Sequence, residues 1–194
     1  MPTLADAPPR KAMLRVLAAA LALAWASPAG AQAQDWKEFS SRGLPGSAGV
    51  VVRVRHPAAW KRVDTDDPMA LAELRGPEGG VTGILQVGRG QRRDDLAAVC
   101  KPEHARTMLQ RAGEQPGVQV TDVFARQHEG RPAFEIHYER DAPPDHLLVR
   151  SLVVCLKDTR LVVSCGATGQ DRTKLGAIEP VCRQVLESLT VTEQ

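Results

Sequence analysis

The sequence predicts an α+β domain, an antiparallel sheet with helices packed on both of its faces. Three observations lead there. Strand-like segments come in two blocks of four, separated by one helical stretch and followed by another. Within each block the connections are of hairpin length, not the long crossovers that parallel strands need. The last two long strands are apolar almost without a break (Leu152 to Leu156, Leu161 to Val163), as central strands covered on both sides are.

The first strand is marked by Val50, Val52 and Val54 alternating with Val51, Arg53 and Arg55. His56-Pro57 ends it, because proline lacks the ladder donor and restricts its predecessor. A short strand from Trp60 to Val63 follows, then a turn over 64–68. Met69 to Arg75 and Val81 to Arg89 are joined by the breaker-rich 76–80. Asp94 is a good N-cap for the first helix, on which Leu96, Val99 and Cys100 form one stripe. Pro102 interrupts this helix. It continues over 103–111, with Met108 and Leu109 inward, until Gly113 and Pro116-Gly117 stop it.

The second block pairs Val118 to Glu129 with Pro132 to Arg140 through Gly130-Arg131, and His146 to Lys157 with Arg160 to Thr168 through Asp158-Thr159. Asp171 opens the last helical stretch, whose first turn holds Pro180 and whose buried stripe is Cys182, Val185, Leu186 and Leu189.

The N-terminus reads as a cleavable signal peptide. Arg10, Lys11 and Arg15 supply positive charge, Leu14 to Ala26 an apolar run, and Ala29-Gly30-Ala31 and Ala31-Gln32-Ala33 each a small-x-small cleavage pattern. Cleavage is expected after Ala33, leaving Gln34 first. The run is shorter than the roughly 20 residues a membrane span needs, and nothing later is apolar enough to span. The expected organisation is therefore a signal peptide over 1–33, an irregular lead-in over 34–48 and one domain over 49–194.

Removing 1–33 takes three basic residues and one acidic residue from totals of 25 and 23, leaving 22 of each. A neutral domain has no electrostatic case for nucleic acid or anionic lipid. Arg89, Arg92 and Arg93 run straight into Asp94 and Asp95, as a solvated loop before a helix does.

All four cysteines, Cys100, Cys155, Cys165 and Cys182, lie beyond the signal. An even count in an exported chain favours two disulfides, with three possible connectivities. Zinc and inert thiols are the rival readings, but there is no C-x-x-C pair, and spacings of 55, 10 and 17 match no common finger. A two-residue loop at Asp158-Thr159 would set Lys157 opposite Arg160, Cys155 opposite Val162 and Cys165 opposite Leu152. Cys155 and Cys165 would then lie on opposite faces, too far apart to bridge. Each strand cysteine is thus expected to bond Cys100 or Cys182, pinning one helix to each face.

Catalytic signatures are sparse: there is no nucleophile elbow, zinc-helix motif, P-loop or dinucleotide fingerprint. Gly88-Arg89-Gly90 lacks a third glycine and a βαβ setting. Cys100 and His104, four residues apart, could form a nucleophile–base pair, and Ser164-Cys165-Gly166 sits at a strand end where nucleophiles occur. The bland readings are a disulfide cysteine and a packed strand. His56, His128 and His137 are expected as isolated or satisfied histidines, so no metal or cofactor is expected.

The stretch Val50-Val51-Val52-Arg53-Val54-Arg55-His56-Pro57-Ala58-Ala59-Trp60 resembles the opening of the PsbP/Mog1/DcrB-like families, a strand followed by proline, a small residue and tryptophan. Gly130-Arg131-Pro132-Ala133 is similar to their G-x-P-A hairpin. Arg160 to Thr168 resembles their penultimate strand, and Val185 to Val191 their terminal I-L-x-S-F-x-V. The resemblance spans 50–191 and implies an α/β/α sandwich and an accessory or binding role. The four cysteines depart from the pattern. The expected function is a non-catalytic periplasmic or secreted protein that binds another envelope protein or a small ligand. The alternatives are a small secreted hydrolase or thiol enzyme using Cys100 or Cys165, and an envelope inhibitor or immunity protein.

Overall fold

Among the described residues, ten strands form two antiparallel sheets. The computed structural model describes residues 34–47, 49–90, 100, 101, 103, 106, 107, 110, 113, 114 and 116–193. The proposed signal segment 1–33 and its cleavage point at Ala33 lie outside them. The small sheet has the order β1 (Trp36–Ser40), β2 (Val50–Pro57), β10 (Thr190–Glu193). The large one runs β3 (Lys61–Val63), β4 (Ala70–Glu78), β5 (Val81–Arg89), β9 (Arg160–Gly169), β8 (Asp145–Cys155), β7 (Arg131–Ala142), β6 (Val118–His128). A 3-10 helix, Arg172–Ile178, leads into the C-terminal helix, Glu179–Glu187. The Asp171 carboxylate caps the first by accepting from the Thr173 backbone N–H at 3.1 Å. Pro180 lies in the first turn of the second, where its missing N–H costs nothing.

The periodicity of β2 decides which way it faces. Val50, Val52 and Val54 are buried while Arg53 and Arg55 are exposed. The valines join a core with Leu85 and Val87 of β5, Leu152 and Val154 of β8, Leu161, Val163, Cys165 and Ala167 of β9, and Val181, Cys182, Val185 and Leu186 of the C-terminal helix. That helix contacts both β9 and β2, so it is shared between the two sheets. Its nine residues are too few to hold helical form in water unaided.

Three expectations need correction. Residues 36–40, within the lead-in expected to be irregular, form β1, because β2 offers an edge on which Trp36 to Ser40 pair with Pro57 to Arg53. The pairing is tertiary and leaves no local signature. Among the described residues the fold is mostly antiparallel sheet with one short α-helix of defined bounds, not a sheet with helices on both faces. The continuous burial of β8 has another cause. On one side lie the small sheet and the C-terminal helix; on the other, Phe134, Val153 and Cys155 close a separate cluster with Cys100, Val123, Ile136 and Val162. Most of the helix expected from Asp94 lies outside the described residues, although Glu103, Arg106, Thr107, Gln110 and Gly113 have helical backbone.

The third correction is the β8–β9 register. Cys155 lies opposite Arg160, and Cys165 opposite Arg150. The loop spans 156–159, closed by the Leu156 N–H donating to the Thr159 carbonyl at 2.9 Å. Relative to a two-residue loop the pairing slips by two positions, and an even slip leaves every side chain on its expected face. Cys155 and Cys165 therefore point to opposite sides. The structure bonds Cys100 to Cys155 and Cys165 to Cys182.

Trp60 shows how sequence positions far apart are matched. Gly76 and Gly83 are cross-strand partners on β4 and β5. The indole lies against both: a Cβ on Gly83 would come within 2.2 Å of Cζ2, and one on Gly76 within 2.6 Å of Cδ1. Only a pair of glycines leaves this slot open, and Trp60 is 2% exposed in it. At the opposite end of the sheet, Glu129 in the β6–β7 turn accepts the Val191 backbone N–H of β10 at 3.1 Å and pairs with Arg131 at 3.3 Å. That carboxylate ties the small sheet to the large one.

Two stability measurements follow. Gly83→Ala forces the indole out of its slot and is expected to cost about 2–3 kcal/mol by urea unfolding, as overpacking of a close-packed core does. Replacing Cys165 and Cys182 together by alanine is expected to cost about 3 kcal/mol, the loop-closure value for a separation of 17 residues.

Candidate functional site

Strand β7 carries a polar row on the face shared with the C-terminal helix: Glu135, His137, Glu139 and Asp141, at the period of two that puts them all on one side. Phe134, Ile136 and Tyr138 alternate with them on the other face. Register then brings in the neighbouring strands. Phe124 of β6 lies opposite Glu135, and Arg150 of β8 opposite His137. Beyond Ala133 and Leu152 only the partly buried Leu148 still packs against the main core, and here the sheet face turns polar.

Glu135 is the hub. Its side chain is 14% exposed. One oxygen accepts from Arg126 Nη1 at 2.6 Å, and the other lies 2.8 Å from His137 Nε2, with Arg150 Nη1 at 3.8 Å. Burial works to raise the Glu135 pKa, but the hydrogen bonds from His137 and Arg126 outweigh it and hold the carboxyl below its ordinary value. Arg150 also pairs with Glu179, in the first turn of the C-terminal helix, where a carboxylate suits the helix dipole. The Phe124 ring meets the His137 ring edge-on, at 5.2 Å between centroids and 66° between planes. Phe124 is nevertheless 45% exposed. Farther along the row, Arg172 bonds Glu139 at 2.5 Å, and Asp141 lies 2.7 Å from His146 Nδ1, a contact that lowers the Asp141 pKa.

This arrangement holds side chains still. Arg126 and His137 are fixed from one side by Glu135, and His137 in turn braces an exposed aromatic ring. Fixed donors beside a braced ring lose little entropy when a partner arrives.

The sequence-predicted residues are placed as follows. Cys100 and Cys165 are both disulfide-bonded, so neither offers a thiol nucleophile in this form, and His104 lies outside the described residues. In Ser164-Cys165-Gly166, Ser164 Oγ lies 2.7 Å from Ser151 Oγ on the face opposite the C-terminal helix. A Cβ on Gly166 would sit 2.1 Å from the Leu148 carbonyl oxygen, so this strand segment is packed backbone to backbone. Around Gly88-Arg89-Gly90, the Gly90 N–H donates to the Arg160 carbonyl at 2.7 Å and its carbonyl accepts from Thr159 Oγ1 at 2.6 Å. The Arg89 N–H likewise donates to the Met69 carbonyl at 2.9 Å, so the sheet already uses the two backbone donors that a phosphate would need. Arg92, Arg93, Asp94 and Asp95 lie outside the described residues.

His56 and His128 are both buried and far along different strands from His137. Burial is the main force lowering each pKa. His56 Nδ1 lies 2.9 Å from the Pro57 carbonyl, which partly opposes the shift. Among the described residues no three His, Cys, Asp or Glu side chains are grouped to hold a metal ion. Sequence reasoning missed the network around Glu135. Its legible trace was the alternation Glu135-x-His137-x-Glu139-x-Asp141 within one strand. Arg126, Arg150 and Phe124 join it only through register.

The pKa directions set a pH profile. The unfolded chain takes up protons at His56 and His128 below their ordinary value of 6.5, while the folded chain resists. Stability is therefore at its full value above pH 6.5 and is lost as pH falls through the lowered folded values. Glu135 adds a second loss below its ordinary 4.5, where the unfolded chain protonates first. Thermal midpoints measured from pH 8 to pH 3 are expected to hold level, decline from about 6.5 and steepen below about 4.5. His128→Gln should flatten the first decline, and Glu135→Gln the second.

No protein-family model matches the sequence, and no curated protein matches it. Solved structures do match. The cyanobacterial PsbP (CyanoP) of Synechocystis sp. PCC 6803 aligns over 87% of this chain and 99% of its own, with a TM-score of 0.53 at 14% identity. LpqN of Mycobacterium tuberculosis, described as involved in cell envelope biogenesis, aligns over 81% and 91%, with 0.52 at 16%. The Ran-binding protein Mog1p of Saccharomyces cerevisiae aligns over 81% and 95%, with 0.52 at 12%. At such identities the likeness is one of architecture, and it agrees with the resemblance seen in the motifs of 50–191. The chain has the PsbP/Mog1-like fold.

Proposed function

We propose that this chain is an exported, non-catalytic accessory protein that binds another envelope protein through the outer rim of its large sheet, with Phe124 at the centre of the contact. The observation that supports the reading most directly is Phe124 itself, a 45% exposed aromatic on edge strand β6, braced by His137 with Arg126 beside it. Exposed aromatics and arginines are the residue types that carry binding energy at protein interfaces. Two disulfides support an oxidising compartment, and the pattern of Arg10 to Ala33 supports export. The equal numbers of acidic and basic residues in 34–194 favour a protein partner over a polyanion. LpqN, with its part in envelope biogenesis, and Mog1p, which binds Ran, fit an accessory reading of the fold. An inhibitor of one cognate enzyme would use the same surface and differ only in affinity. The thiol-enzyme reading is disfavoured by the bonding of Cys100 and Cys165.

A photo-crosslinking residue at position 124, with position 61 on the opposite edge strand as control, tests the surface in envelope fractions. An adduct specific to position 124, weakened at least ten-fold in apparent affinity by Arg126→Ala at unchanged fold, is expected. Tenfold is about 1.4 kcal/mol, at the lower end of interface hot spots. Identical adducts from both positions, or none, would contradict it. N-terminal sequencing from Gln34 is expected for the exported form; recovery of cytosolic protein beginning at Met1 with reduced thiols would contradict export.

A further inference from the structure

The two disulfides differ in everything around them. Cys165 and Cys182 are both 0% exposed and sit in the main core, where β9 meets the C-terminal helix. Cys155 is 7% exposed, at the end of β8, and Cys100 is half-buried in a turn. Cys100 also lines an open surface cavity of about 370 Å³ with Ala125, Arg126, Gln127, Pro132 and Ala133. None of these lining residues is acidic, and the Arg126 guanidinium is held on the other face of the sheet by Glu135. A thiolate entering this cavity meets no like charge from them and comes up against Cys100. At the other bond, a thiolate would first need the helix to leave the sheet.

We propose that Cys100–Cys155 is a reducible bond, a modification site for an external dithiol reductant, while Cys165–Cys182 is a fixed structural bond. In the first step a thiolate of the dithiol attacks Cys100 Sγ. The Cys100–Cys155 bond breaks, and its electron pair leaves on Cys155 Sγ, which takes a proton from solvent. In the second step the dithiol's other thiolate attacks its own sulfur in the mixed disulfide and frees the Cys100 thiolate, which is then protonated. The reductant becomes a disulfide, and the protein gains two electrons and two protons. The bond that opens holds the small cluster of Phe134, Val153 and Cys155; the main core keeps its own clamp. Reduction therefore opens a loop closed over 55 residues and loosens the connection between β5 and β6, in which Cys100 lies, without dissolving the fold.

The test uses the folded, oxidised protein, dithiothreitol as the dithiol, and timed quenching with iodoacetamide followed by peptide mapping. Cys100 and Cys155 are expected to be alkylated at least ten-fold faster than Cys165 and Cys182, with the difference vanishing in urea. The half-reduced, alkylated protein should still unfold in one cooperative transition. Equal rates in the folded protein overturn the proposal, as does earlier alkylation of Cys165 and Cys182. It also fails if neither bond is reduced under native conditions that reduce both in urea, or if opening Cys100–Cys155 abolishes the cooperative transition.

Discussion

The rest of the architecture depends on the contact between β9 and the C-terminal helix. Leu161, Val163, Cys165 and Ala167 are fully buried on the side of β9 that faces the helix, and Val181, Cys182, Val185 and Leu186 answer them. A helix of nine residues has no stability of its own to offer, so its order is borrowed from this apolar surface. The loan is passed on. The other flank of the helix receives the valines of β2, and the chain leaving the helix becomes β10, which completes the small sheet. Without the helix in place, the small sheet would present Val50, Val52 and Val54 to water, a cost of roughly 1.5–3 kcal/mol for each side chain.

The polar rim follows from the same arrangement. Helical cover reaches β8 and stops, with Glu179 joined to Arg150 at the boundary. Beyond it β7 and β6 must meet solvent, and β7 does so with a row of ionisable residues whose charges are matched by Arg126, Arg150 and Arg172. A half-buried carboxylate such as Glu135 is tolerable only because the hydrogen bonds it receives replace the water it loses. What remains uncovered is a ring, Phe124, on a frame that is already ordered.

Much of this was legible in the sequence, and what was not has a common cause. The alternation of β2, the apolar runs of β8 and β9, the turn glycines and the buried stripe of Cys182, Val185, Leu186 and Leu189 are local signals, and they mark the elements correctly. β1 was missed because Trp36 to Ser40 become a strand only by pairing with β2. The division into two sheets, the seating of Trp60 on Gly76 and Gly83, and the tie from Glu129 to Val191 are likewise invisible without tertiary contact. The candidate site was half visible. Glu135 and His137 announce a shared face by their spacing, while Arg126 and Arg150 lie nine and fifteen positions from Glu135 and arrive through the β6–β7 and β7–β8 ladders.

The loop over 156–159 carries a rule about how this protein can change. Cys155 and Cys165 stand on opposite faces because the residues between them fix the parity of β9 against β8. An insertion or deletion of a single amino acid there would turn β9 over and send the Cys165 sulfur away from Cys182. Gains or losses of two would be absorbed. Length drift at this hairpin is thus quantised, and any descendant that keeps both crosslinks must have altered it in even steps.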